Sequence, residues 1–235
     1  MNAYQLFDLQ GKRAVVTGGG SGIGYHMALA LARSGAQVMI GSRRAEVLRQ
    51  ATEQFNQQPL AAQAIYRSVD LRDRQSIESF AAHAVDVMGG VDIFVGNAGL
   101  DLLEPVDAMQ DKSIDDILQV NLIANLQLVR AFLPHMRQRK WGRIILVGSA
   151  STLTASHCDG MTAYVATKGA LDAAVKTIAA EVGHDGITAN TIVPGMFMTH
   201  IMDNSSDRHE SADSAGAKES GRAFLEMMAN MTMVG

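Results

Sequence analysis

The sequence predicts a doubly wound parallel α/β sheet, and three observations carry that prediction. Short β-branched apolar runs alternate with longer helical stretches along most of the chain. A glycine-rich turn joins the first such run to the first helix. The composition, 47% hydrophobic and 19% charged over 235 residues, suits one domain with a sizeable core. In chain order, residues 13–17 (RAVVT) form a buried strand, and Tyr25 to Arg33 an Ala/Leu-rich helix stopped by Gly35. Gln37 to Gly41 is a second strand, and Ala45 to Asn56 a helix with a polar face. Ala64 to Val69 is the third strand, followed by a helix over Arg74 to Met88. Val91 to Gly96 (VDIFVG) is the fourth, followed by one long helix from Ser113 to Arg139. Arg143 to Gly148 (RIILVG) is the fifth, then a helix from Ala163 to Val182 and a sixth strand from Ile187 to Val193. Strand–helix–strand repeats with short turns require parallel pairing through right-handed crossovers, which places helices on both faces.

Residues 1–235 read as one domain, without an internal repeat or linker. The net charge of −4 argues against nucleic acid or an anionic membrane as the main partner. The single cysteine, Cys158, excludes an intrachain disulfide framework and fits a reducing compartment. The opening residues lack a basic region followed by an apolar core, so no signal peptide is expected, and no apolar run approaches a bilayer span. A cytoplasmic protein is expected. After Pro194 the composition changes: residues 203–222 are polar and rich in Ser and Ala, and half of the 14 methionines fall at or after position 196. Two readings of 196–228 stand. One is ordinary packing of a small terminal helix. The other is a mobile substrate lid lined with adaptable thioethers.

The glycine turn, Thr17-Gly18-Gly19-Gly20-Ser21-Gly22-Ile23-Gly24, follows an apolar strand and opens a helix. That context marks a phosphate-binding turn. Gly18 allows the tight turn, Gly22 lets the backbone approach a pyrophosphate, and Gly24 lets helix pack on strand. Gly20, Ser21 and Ile23 complete the segment whose helix N-terminus offers unpaired N–H groups to phosphates. The second strand ends at Gly41-Ser42-Arg43-Arg44. An acidic residue there would accept the ribose hydroxyls of NAD, whereas here Ser42 is neutral and two arginines follow. Arginine suits a 2′-phosphate, so NADP(H) is favoured and NAD(H) remains possible.

Tyr164 and Lys168 lie four residues apart in YVATK, one turn apart on a helix face. A phenol is a poor base near neutrality, and a neighbouring cation is expected to bring its pKa down toward working pH. With the glycine turn, this pair points to a nucleotide-dependent oxidoreductase whose acid/base is a tyrosine.

These motifs, with Asn97-Ala98-Gly99, Asn121, the serines near 150 and Pro194-Gly195, stand in an order that resembles the short-chain dehydrogenase/reductase family from about Phe7 to Thr199. The opening LFDLQGKRAVVTGG is similar to sugar-acid dehydrogenases and 3-oxoacyl-thioester reductases within it. The resemblance implies a Rossmann-like fold and reversible hydride transfer between a nicotinamide cofactor and a secondary alcohol or ketone. It implies Tyr164 as general acid/base, Lys168 lowering the tyrosine pKa and bonding the nicotinamide ribose, and Asn121 holding a water in a proton relay. It places Asn97, Ala98 and Gly99 beside the adenosine ribose, Asp70 and Leu71 beside the adenine, and Pro194, Gly195 and Thr199 around the nicotinamide. For the serine that binds the substrate oxygen, the strand end favours Ser149, while the family's usual spacing to the tyrosine points to Ser151. His157, Cys158 and Asp159 read as loop residues, and no metal is expected. Gly96 departs from the family, which often carries an asparagine there. A homodimer or homotetramer, and a further helix and seventh strand beyond Gly235, are also implied. The rival reading is a non-catalytic NADP(H)-binding sensor or scaffold of the same fold.

Overall fold

The computed structural model describes residues 7–153 and 159–195. Thr199, the segment 196–228, His157 and Cys158 lie outside the described residues. Six strands form one parallel sheet: β1 (Arg13–Thr17), β2 (Gln37–Ser42), β3 (Ile65–Ser68), β4 (Ile93–Gly96), β5 (Gly142–Val147) and β6 (Ile187–Ile192), in the order β3-β2-β1-β4-β5-β6. The order reverses between β1 and β4, where a crevice opens beyond the strand C-termini.

Alternation along the strands builds the two faces. Val15, Met39, Phe94, Ile144 and Leu146 point to one side, where they pack with α3 (Arg74–Met88), α5 (Ala124–Arg139) and α6 (Thr162–Val182). Ala14, Val16, Val38, Ile40, Ile93 and Val95 point to the other, against α1 (Gly22–Arg33) and α2 (Ala45–Asn56). At the N-terminal end of the sheet the only charge inside β1, Arg13, is paired by fork geometry with Asp92, at 2.7 Å for Nε–Oδ2 and 2.7 Å for Nη2–Oδ1. The chain's single tryptophan, Trp141, lies at the same end, with Lys12 Nζ 3.9 Å and the Arg143 guanidinium 4.3 Å from its ring centroid.

The long helix expected from Ser113 is not uniform. It begins at Asp111, runs as α4 to Leu118, passes through a π-helical turn at Gln119–Ile123, and resumes as α5. Ala124 N–H reaches back to Gln119 O across this wider turn. By length and composition Asp111–Arg139 could cross a membrane, but it is a core helix: Ile117, Val120, Leu128, Phe132 and Met136 are all buried against the sheet and its neighbours.

Candidate active site

The crevice at the reversal point is a cleft lined by Gly18, Gly20, Ser21, Gly22 and Ile23 from the glycine turn, Ser42, Arg43 and Arg44 after β2, Asp70 and Leu71 after β3, and Asn97, Ala98 and Gly99 after β4. Gly18 and Gly22 adopt φ of +69° and +57°, the left-handed region that favours glycine. A Cβ at Gly24 would collide with Asn97 Nδ2 and Gly18 O, so this position closes α1 onto β4 rather than lining the cleft. Thr17, which the sequence reading did not single out, ties the two strand ends together. Its hydroxyl accepts from Asn97 N and Ala98 N, each at 3.2 Å, while Asn97 Nδ2 donates to Thr17 O at 3.1 Å. Arg43 and Arg44 stand exposed at the rim. Val47, Arg72, Leu100 and Val120 also line the cleft; only contact across elements, invisible in local motifs, reveals them. This cradle fits a dinucleotide: a glycine turn at a helix N-terminus for the phosphates, cations beside the second strand, and an acidic side chain at the third.

Two of the catalytic candidates, Asn121 and Lys168, adjoin the cleft at Gly99. A Cβ at Gly99 would lie 3.3 Å from Asn121 Oδ1 and 3.5 Å from Lys168 Nζ. Asn121, fully buried in the π-helical turn, accepts from Leu100 N at 2.7 Å and donates to Leu100 O at 2.8 Å and Thr167 Oγ1 at 3.1 Å. The Thr167 hydroxyl donates in turn to Tyr164 O at 2.7 Å, which links the π-helical turn to the first turn of α6. The Ser149 hydroxyl is hydrogen-bonded to the Tyr164 side chain. Ser151 is its other partner, with the two Oγ atoms 2.7 Å apart. Both serine candidates therefore belong to one chain of hydroxyls, and Ser149 is the member that meets the tyrosine. Pro194 joins the same region, its carbonyl accepting from Ala150 N at 3.0 Å; Gly195 has open space around it. Neither lines the cleft as described.

The electrostatics depart from the expected tyrosine–lysine coupling. Burial pushes the Tyr164 phenol above its ordinary value, the Ser149 hydrogen bond pulls it back, and the charge of Asp101 raises it again. Lys168 Nζ lies 5.8 Å from the ring centroid and donates to Val147 O at 2.7 Å. Burial brings Lys168 itself down to about 8, with Asp172 acting in the opposite sense. Tyr164 is thus held as an acid near neutrality.

The chain matches the family model of short chain dehydrogenases over residues 12–210. It is a member of the short-chain dehydrogenase/reductase family. It is 34% identical over 193 residues to the D-beta-hydroxybutyrate dehydrogenase of Rhizobium meliloti, covering 82% of this chain and 74% of that one. It is also 34% identical over 202 residues to the gluconate 5-dehydrogenase of Gluconobacter oxydans, covering 86% and 77%. Among solved structures, a 3-oxoacyl (acyl-carrier-protein) reductase from Agrobacterium tumefaciens with NADP bound superposes with a TM-score of 0.80 at 29% identity, over 88% and 78% of the chains. This short-chain dehydrogenase/reductase is accordingly an NAD(P)-dependent oxidoreductase acting between alcohol and carbonyl groups.

Proposed function

We propose that Tyr164 is the general acid/base of this chain and Ser149 its partner at the substrate oxygen; the hydrogen bond between them carries the reading. When bound, the nicotinamide supplies or takes up the hydride at the carbonyl carbon. The side chains supply the rest. Ser149 donates to the substrate oxygen and fixes it against Tyr164. Tyr164, protonated near neutrality because of its burial, delivers its proton as negative charge develops on that oxygen. Lys168 keeps a cation beside Gly99 below pH about 8 and bonds the nicotinamide ribose. The Asn121 amide is held by Leu100 and Thr167, and in this reading the relay water sits at its main-chain carbonyl.

Arg43 and Arg44 at the rim, with neutral Ser42, support NADP(H) over NAD(H). The exposed Ile123 and Leu126, 41% and 38% accessible on the outer side of the long helix, support a homodimer or homotetramer built on that face. The lone cysteine supports a cytoplasmic location. The substrate class is a small hydroxy or oxo acid or its thioester, in keeping with the names of the similar dehydrogenases. The test is a titration of the protein with NADPH and NADH by nicotinamide fluorescence, then turnover with 3-oxo acids, 3-oxoacyl thioesters and keto sugar acids. Oxidation of NADPH by one of these classes is expected. Binding without turnover on any of them would overturn the reading.

A further inference from the structure

Asn125, on the first turn of α5, is a buried amide, 2% exposed, in a position where an apolar side chain would avoid the cost of burying a polar group. Its Nδ2 donates to the main-chain carbonyl of Asn121 at 2.8 Å. That carbonyl belongs to the π-helical turn, whose widened ladder leaves room for a side chain to approach the backbone. On the sheet side, Asn125 Oδ1 occupies the place that a Cβ at Gly96 would need, and Leu146 Cδ2 stands 2.7 Å from the same point. Gly96 thus has no room for a Cβ while Asn125 and Leu146 stand where they do. An asparagine at 96 would direct its own amide into the volume that Asn125 fills.

We propose that Asn125 is the positioning residue for Asn121, supplying from the helix an amide that members of this family often carry on the strand. It acts through Asn121, whose carbonyl has two lone pairs: Asn125 takes one and orients the other toward the relay water. The inference rests on the mechanistic reading above. It also couples Gly96 to Asn125, because a side chain at 96 requires Asn125 to give way.

Three variants decide it: Asn125→Val, the double variant Gly96→Asn/Asn125→Val, and Tyr164→Phe as reference. For Asn125→Val, kcat is expected to fall about tenfold to a hundredfold through misplacement of the relay. KM and the dissociation constant for NADPH should stay within about twofold, because the cofactor cradle is untouched. The double variant, which returns an amide from the strand side, should recover most of the lost kcat. Unchanged kcat in Asn125→Val overturns the proposal. So does a double variant that is insoluble or no more active than the single one. If Asn125→Val does not fold, the double variant alone decides: turnover near wild type supports the coupling, and turnover at the level of Tyr164→Phe overturns it. An inert Tyr164→Phe beside an unaffected Asn125→Val overturns the positioning alone, whereas a Tyr164→Phe that turns over normally overturns the mechanistic reading with it.

Discussion

The two ends of the cleft are built differently. The dinucleotide end, around β1, β2 and α1, is made of backbone and empty space: positive φ at Gly18 and Gly22, and a contact at Gly24 that no Cβ could survive. The other end, around β4, β5 and α6, is made of hydrogen bonds in series, from Asn121 through Thr167 to the Tyr164 main-chain carbonyl and from Ser151 through Ser149 to the Tyr164 side chain. A site made of absent side chains depends on local sequence. A site made of mutual hydrogen bonds depends on elements far apart in the chain. The first should fail by losing the cofactor, the second by losing turnover with the cofactor still bound.

The largest effect belongs to the end that carries Tyr164. Tyr164→Phe should lower kcat by about a thousandfold, within the range for a lost general acid, with NADPH affinity unchanged by fluorescence titration. Equal losses in both would erase the distinction between the two ends. At the dinucleotide end, Arg43→Asp should weaken NADPH binding by about tenfold or more, the worth of a charge-assisted hydrogen bond. NADH binding and kcat should be little changed, and the ratio of the two dissociation constants is the measurement. Gly24→Ala should destabilise the fold by about 1–3 kcal/mol through overpacking, seen as a lower melting temperature together with weaker cofactor binding.

A further effect sharpens the comparison through pH. Lys168 is depressed to about 8 in the folded protein, against an ordinary value of 10.5. Below about 8 it is charged both folded and unfolded, and the full cost of burying the charge is present. Between about 8 and 10.5 the unfolded chain binds more protons, so stability rises with pH. The melting temperature of the wild type relative to Lys168→Met should therefore climb across that window. A flat difference would mean that the ammonium is not desolvated.

The same contrast explains what the sequence revealed. The six strands and their order of helices follow from apolar periodicity, and α2 and α3 match their expected bounds, Ala45–Asn56 and Arg74–Met88. The glycine turn was legible because its geometry excludes side chains locally. The π-helical turn at Gln119–Ile123 was not, since no glycine or proline marks it and its effect is to turn Asn121 toward Leu100. Thr167 and Asn125 were passed over because their partners are 46 and 4 residues away on a helix whose register the π-helical turn alters. The choice between Ser149 and Ser151 turned on loop length, and folding places both in one hydroxyl chain. The tyrosine is raised because of burial, which no spacing encodes, while Lys168 is held by Val147 O.

Trp141 lies at the base of the sheet, and the six residues of β5 at about 3.3 Å each put it roughly 20 Å from the strand end that carries Ser149. With Lys12 and Arg143 stacked near its ring, its emission has a local environment that only disassembly of that base would change. The lone indole is therefore an internal optical reporter. In a urea titration, it dates the collapse of the scaffold independently of the chemistry, so an inactive variant with native tryptophan emission has a damaged site on an intact frame.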